Sequence, residues 1–156
     1  MEDQPIKVSN ATTSTPAGAL AIAIGALVPL ALSLTSIFFG GVGGFTESKA
    51  STGFVAYAGL LLVFVAGARF GRGLRANGAP GVTVTASAIL AALTSIFLPA
   101  QVAAGVLAVA HAGHGAWDVW SADRAQLPAW YGRLRFQTTL AAVPLLVAGV
   151  FVLGTG

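Results

Sequence analysis

The chain of 156 residues contains no cysteine, and only 8% of its residues are charged. The absence of cysteine excludes disulfide bonds, thiolate metal sites, cysteine nucleophiles and iron–sulfur ligation. A soluble domain carries about 25% charged residues, which keep its surface hydrated, so this composition argues against a soluble fold. Eight Lys and Arg against five Asp and Glu give a net charge of +3, and eight cations are too few for a nucleic-acid-binding face.

Apolar residues are abundant instead, at 56% of the chain with a mean hydropathy of +0.83. A bilayer core about 30 Å thick is crossed by roughly 20 apolar residues in a helix. We therefore predict an all-α integral membrane protein, a compact bundle of five transmembrane helices. A polar N-terminal tail, 1–16, precedes a transmembrane domain over 17–153, with spans at about 17–39, 51–68, 82–98, 100–117 and 136–153.

Only Pro99 separates the third and fourth predicted spans. Proline lacks an amide proton and disfavours helix in the residue before it. A single helix over both stretches would also be far too long for one crossing. The sequence therefore predicts two helices joined by a tight hairpin at Pro99.

The distribution of basic residues predicts the orientation of these spans. Five crossings place the N-terminal tail and the 69–81 and 118–135 loops on one side of the membrane. The other side carries only Lys49. Because cytoplasmic loops are enriched in Lys and Arg, we expect the N-terminus inside and the C-terminus outside. The basic residues of the inner side are Lys7, Arg69, Arg72, Arg75, Arg124, Arg133 and Arg135.

Aromatic residues cluster in or beside the inner 118–135 loop, as is typical of the headgroup zone, where an apolar ring meets a polar environment. The stretch LPAWYGRLR predicts an interfacial helical turn that begins at Pro128. Arg133 and Arg135 are expected to extend towards lipid phosphates. The clustered aromatic residues are Trp117, Trp120, Trp130 and Tyr131.

Small residues recur within the spans, where they let membrane helices pack closely. Gly67 and Gly71 are four residues apart at the end of the second span, and the fourth span consists largely of Ala and Gly. We favour packing inside the monomer for these residues, with a surface for a partner helix or a flat ligand as the alternative. Pro29 and Pro144 lie within spans and are expected to kink them.

His111, His114 and Asp118 form the main polar constellation, because their spacing places them within about 60° on one helical face. They could hold a divalent metal, ligate a haem or other tetrapyrrole, or pass protons. The simpler interpretation, which we favour, has both histidines neutral and hydrogen-bonded to neighbouring helices or interfacial water. Asp118 would then pair with Arg69 or Arg72. The chain has no third histidine to complete a metal site.

The chain lacks the phosphate-binding loop with its lysine, HExxH and GxSxG, so we expect a non-enzymatic protein. Arg69, Arg72 and Arg75 could contact an anionic headgroup or a nucleotide. The enrichment of cations on the inner side explains them more simply.

Three stretches resemble a family of small multi-pass inner-membrane proteins of unknown function, which includes the mitochondrial transmembrane protein sixty-nine. They are GALVPLAL, YAGLLLVFVAGARFGRGL and LPAWYGRLRFQTTL. The resemblance covers roughly residues 17–153 and implies a five-helix bacterial or mitochondrial membrane protein without a known activity. The HAGHGAW stretch departs from the family pattern. Positions that match it are Tyr57, Gly67, Arg69, Gly71, Asp118, Trp130, Tyr131 and Arg135.

The leading functional hypothesis is a structural or accessory subunit that packs against a larger complex in the bacterial inner membrane, or in a membrane derived from it. Its partners would be the lipid bilayer and other membrane subunits, with no nucleic acid. The cofactor is unknown: none is expected, and a tetrapyrrole or metal at His111 or His114 is the minority alternative. A small transporter or proton channel is a further alternative, motivated by Pro29, Pro144 and the two histidines.

Overall fold

The computed structural model describes residues 14–75, 79–124 and 126–154, without the side chains of 72–80. Most of the predicted N-terminal tail therefore lies outside the described residues. The described chain is helical except for one two-stranded hairpin. Its elements are α1 (Ala17–Gly25), α2 (Val28–Phe38), β1 (Gly41–Val42), β2 (Phe45–Thr46), α3 (Glu47–Arg75), α4 (Ala79–Ile96), α5 (Ala100–Asp123) and α6 (Ala129–Leu153).

Three segments of the described chain are long and apolar enough to cross a membrane: Ala17–Phe38, Glu47–Gly71 and Ala129–Leu153. Gly81–Ile96 is a shorter apolar helix, and α5 carries the polar residues Gln101, His111 and His114 in its apolar part. The predicted all-helical class is confirmed. The count of five membrane crossings stays a prediction.

The two prolines that begin helices act as the sequence predicts. Pro99 separates α4, which ends at Ile96, from α5, which begins at Ala100, so the division there is confirmed. Pro128 immediately precedes α6. That helix continues through the predicted interfacial turn into the last apolar stretch, because no residue between 129 and 136 interrupts it.

The first apolar segment has an irregular turn near its middle, between α1 and α2. Ala26 and Leu27 keep helical backbone angles, but the Leu27 amide bonds to the Ile24 carbonyl, three residues earlier. Pro29, which follows, has no amide proton to donate to the preceding turn. The hydroxyl of Tyr57 donates a hydrogen bond to the Ala26 carbonyl at 2.7 Å, so a side chain of α3 supports the backbone at this turn. Pro144, in contrast, lies inside an uninterrupted α6.

A small hairpin joins α2 to α3. Strand β1 pairs antiparallel with β2, with Val42 opposite Phe45. The two turn residues, Gly43 and Gly44, have φ angles of 59° and 84°, which are the left-handed values that a type I′ turn requires and that glycine adopts most readily. The hairpin brings the end of α2 next to the start of α3.

Helices α2, α3, α5 and α6 form a closed ring of neighbours, in which α2 also packs against α6. Helix α4 packs against α3 and α5, and α1 contacts α6. The interior contains apolar side chains from each helix of the ring, all fully buried. They are Leu30, Phe54, Leu62, Leu107 and Leu146.

Side-chain contacts define the relative directions of the helices. A Cβ on Gly115 would clash with Thr139, and one on Gly132 would lie 2.5 Å from the Ala122 Cβ. Residue numbers therefore rise along α5 as they fall along α6, so these helices are antiparallel. Likewise, Thr85 of α4 donates a hydrogen bond to the Ala66 carbonyl, whereas the α4 residue Ala92 lies beside Gly59. This arrangement makes α3 and α4 antiparallel.

Four small residues of α5 pack inside the protein, as expected: Ala103, Ala104, Ala108 and Gly115 are buried. The glycine pair on α3 does not pack inside the protein. Gly67 and Gly71 are exposed, and a Cβ at either position would meet no atom within 4 Å.

We predict opposite effects of alanine at two helical glycines. A Cβ on Gly149 would lie 2.5 Å from the fully buried Phe54 ring, so Gly149→Ala should destabilise the bundle by about 1–3 kcal/mol through overpacking. Gly113 is exposed and has open space around it, so Gly113→Ala should stabilise it slightly, because alanine favours helix. Unfolding in detergent micelles measures both; equal effects would contradict the packing.

Candidate functional site

Three helices each contribute one charged side chain to a buried cluster. Arg69 comes from the C-terminal half of α3, Asp118 from the last turns of α5, and Arg135 from the second turn of α6. Helix α5 packs against both α3 and α6, so an inward-facing residue near its end can reach both neighbours. We refer to Arg69, Asp118 and Arg135 as the charged cluster.

The Asp118 carboxylate binds both arginines, one on each oxygen. Nη2 of Arg69 forms an ion pair with Oδ1, and Nε of Arg135 donates a hydrogen bond to Oδ2 at 2.8 Å. Nη1 of Arg135 also donates to the Thr138 hydroxyl at 3.4 Å. That hydroxyl in turn donates to the Leu134 carbonyl at 3.0 Å. The carboxylate therefore links α3, α5 and α6 through an ion pair with Arg69 and a charge-assisted hydrogen bond from Arg135, which is stronger than a neutral hydrogen bond.

The cluster is shielded from the surroundings. Arg69 is 8% exposed, Asp118 1% and Arg135 6%. Charged groups in such an environment are costly unless they are paired and hydrogen-bonded. Here two guanidinium groups share one carboxylate, so the cluster carries one excess positive charge. Three guanidinium nitrogens are buried without a hydrogen-bond partner among the described residues, namely Nε and Nη1 of Arg69 and Nη2 of Arg135.

Two cavities adjoin the cluster. A cavity of about 240 Å³ lies among α1, α3, α5 and α6, is almost wholly apolar, and touches Arg135 and His111. A smaller one of about 140 Å³ is lined by Arg69 together with Leu127 and Pro128. Trp130 and Tyr131 line both, and their rings contact each other edge to face with centroids 5.9 Å apart. These two aromatic side chains therefore lie between the cavities.

The two histidines of α5 make separate hydrogen bonds to two different helices. His111 is buried, and its Nε2 lies 3.0 Å from the Ala58 carbonyl of α3, to which it donates. Nε2 of His114 lies 3.3 Å from the Ser87 hydroxyl of α4. Since that hydroxyl gives its proton to the Val84 carbonyl, its oxygen accepts from His114. Hydrogen bonding to neighbouring helices, the arrangement that we favoured, is what the structure contains.

His111, His114 and Asp118 lie on one face of α5 but do not form a single binding site. His111 and Asp118 both contact α3, whereas His114 contacts α4. Among the described residues there is no group of three or more His, Cys, Asp or Glu side chains that could hold a metal ion. Each Nε2 atom would have to give up its hydrogen bond before it could ligate a metal or a tetrapyrrole.

The arginines of the inner loops occupy different environments. Arg69 pairs with Asp118 in the structure, as expected. The side chain of Arg72, the alternative partner, lies outside the described residues. Arg133 is exposed, as a residue that extends towards lipid phosphates must be. Arg135 is buried on Asp118, so the prediction that it extends towards phosphates is wrong. Two residues apart on a helix, the two side chains point in nearly opposite directions.

No local sequence pattern separates Arg135 from Arg133, since both lie in the same LPAWYGRLR stretch. The packing of α6 against α5 buries one and leaves the other exposed.

Comparison with protein-family models, curated proteins and solved structures found no match. The resemblance to the inner-membrane family therefore stays a prediction from its sequence stretches.

We predict that Asp118→Asn destabilises the protein strongly, by about 3–5 kcal/mol, because it leaves two buried guanidinium groups without a counter-charge. Asp123→Asn is the matched control, since Asp123 lies on the same helix but is exposed; it should change stability by less than about 0.5 kcal/mol. Thermal unfolding in detergent micelles measures both. Similar melting temperatures for the two variants would show that the cluster does not hold the bundle together.

Proposed function

We propose that the chain is a non-enzymatic membrane protein of five transmembrane helices, and that it serves as an accessory subunit of a larger membrane complex. The observation that carries this proposal is an exposed surface on α3 whose small residues would let another helix approach closely. Ala56, Leu60, Gly67 and Gly71 lie within about 60° of one another around the helix, and all four are exposed. We call these four residues the α3 outer stripe.

The α3 outer stripe has the composition of a helix-docking surface. In lipid, apolar side chains gain little by meeting one another, so close backbone approach over small residues drives association. Gly67 and Gly71 provide the small-xxx-small spacing, and open space surrounds both. Leu60, 67% exposed, gives a partner helix a large side chain to pack against. The rest of the protein leaves this surface uncovered, which supports a partner from another subunit.

The directions of the helices support five crossings. Helices α3 and α4 are antiparallel, as are α5 and α6. In addition, α5 meets α3 with Ala58 beside His111 and Arg69 beside Asp118, so these two helices run the same way. A chain that crosses one layer back and forth requires this alternation. In the proposed arrangement, α4 and α5 cross the membrane between the apolar segments on either side of them in the chain.

The proposed orientation places the arginine-rich end of the bundle in the cytoplasm or its organellar equivalent. Arg69, Arg124 and Arg133 lie towards that end, and Arg124 lies 3.7 Å from the centre of the Trp120 ring. Lys49 is at the opposite end, next to the hairpin. The family resemblance supports a bacterial inner membrane or a membrane derived from it. We propose no activity for the histidines, because internal hydrogen bonds occupy both Nε2 atoms.

The absence of native cysteine makes the topology directly testable. Single cysteines at Ser48 and at Asp123, both exposed, should react with a membrane-impermeant maleimide from opposite sides of intact cells or spheroplasts. Ser48→Cys should label from outside, and Asp123→Cys only after permeabilisation. Labelling of both positions from the same side would contradict the proposed five-span topology.

Substitution on the α3 outer stripe tests the accessory role. Gly67→Leu adds a side chain where the protein itself has open space, so the fold should persist while the partner is displaced. Blue-native electrophoresis of native membranes solubilised in mild detergent should show a defined larger complex with the wild type and its loss with Gly67→Leu. Gly113→Leu, on exposed α5 surface with equally open space, is the matched control and should retain the complex.

Two outcomes would refute the accessory role. A single monomeric species from native membranes would remove the partner altogether. A complex made only of copies of this chain, detected with two differently tagged versions, would replace accessory docking with self-association.

A further inference from the structure

The charged cluster is unbalanced, and two cavities adjoin it. Arg69 and Arg135 bring two positive charges to one carboxylate, and three of their nitrogens are buried without a hydrogen-bond partner in the described part of the chain. A buried donor without a partner is unfavourable, and more so when the group is charged. An anion in the cavity beside Arg69 would neutralise the excess charge.

The two cavities beside the arginines differ in chemistry. Arg69 lines the smaller cavity, next to Trp130 and Tyr131. On the other side of these rings the larger cavity is walled by apolar side chains such as Leu27, Leu61 and Leu134. The two cavities share Ala68, Trp130 and Tyr131 as lining residues. A ligand that fits both must be anionic at one end and apolar at the other.

The larger cavity is open to its surroundings at the side of the bundle. Ile22 and Phe64 at its edge are 68% and 69% exposed, so a chain can enter laterally between α1 and α3. The opening adjoins the α3 outer stripe, because Phe64 lies about 20° from Gly71 around the helix. Leu61, Val65 and Ala68, which line the cavity, lie farther round the helix from the stripe.

We propose that the protein binds one anionic phospholipid, with its phosphate at Arg69 and an acyl chain in the apolar cavity beside Arg135. Trp130 and Tyr131 pack against the glycerol region between them. The cluster has one more positive charge than negative charges, so it favours a lipid with an anionic headgroup over one with no net charge. The apolar cavity selects a lipid over a free phosphate ion, since inorganic phosphate has nothing to place there. The inference rests on the location in a membrane, not on the accessory role.

Quenching of Trp130 fluorescence by brominated lipids tests the proposal. The full chain carrying Trp117→Phe and Trp120→Phe keeps Trp130 as its sole tryptophan and is reconstituted in phosphatidylcholine bilayers. Increasing fractions of acyl-brominated phosphatidylglycerol or acyl-brominated phosphatidylcholine are then compared. The proposal predicts an apparent affinity about fivefold higher for the anionic lipid, the size expected of one arginine near a phosphate.

Substitutions separate a bound lipid from the general attraction of a basic protein end for anionic bilayers. Arg69→Gln leaves Asp118 neutralised by Arg135 and should abolish the preference, whereas Arg69→Lys should retain part of it. Arg133→Gln removes the same charge from an exposed position on α6 and should leave the preference intact. If Arg69→Gln does not fold, Ala23→Leu fills the cavity without touching the cluster and should also abolish the preference.

Three results would overturn the proposal. One is equal quenching by the two lipids in the wild type. Another is a preference that survives in folded Arg69→Gln or Ala23→Leu, or that disappears equally in Arg133→Gln. The third is displacement of the quenching by millimolar inorganic phosphate at constant ionic strength, which would identify a site for the free ion instead of a lipid.

Discussion

The arrangement of the helices depends on one carboxylate that binds two arginines. Asp118 reaches α3 through Arg69 and α6 through Arg135, so one carboxylate fixes the register of the three helices at this level. In a bilayer the hydrophobic effect does not drive helices together, and unpaired charges are expensive there. The relative positions of these helices are therefore set by this polar contact, and small residues let the helices pack closely around it.

The same contact explains why the other features lie where they do. Close approach of α5 and α6 at Gly115 and Gly132 brings Asp118 within reach of Arg135. The irregular turn between α1 and α2, which accepts a hydrogen bond from Tyr57, lies beside the apolar cavity next to the cluster. An excess positive charge at this position suits a protein that retains an anionic lipid. The uncovered α3 outer stripe suits one that docks to another subunit.

Much of the helical layout could be predicted from the sequence, because apolar length and proline position are local signals. The separation of α4 from α5 at Pro99 is an example, and so is the start of α6 after Pro128. The pairing of Asp118 with Arg69 was also predictable from their shared end of the bundle. The burial of Arg135 could not be predicted, since Arg133 lies two residues away in the same stretch of sequence. Only tertiary packing distinguishes the two faces of α6. The irregular turn at Ala26 and Leu27 lies next to Pro29, which marks it in the sequence, but the hydrogen bond that it accepts from Tyr57, 31 residues away, has no local signal.

The central claim is that Asp118 stabilises the bundle by pairing with two buried arginines, and the most direct test compares two variants. Asp118→Leu alone leaves both guanidinium groups buried and uncompensated, whereas the triple variant Arg69→Met, Asp118→Leu and Arg135→Met removes all three charges. The free energy of unfolding of each is measured in the same detergent micelles. Our account predicts that the triple variant is the more stable of the two, because apolar groups of similar volume can replace a buried ion cluster but an unpaired charge cannot persist there. A triple variant that is as unstable as Asp118→Leu, or more so, would contradict it.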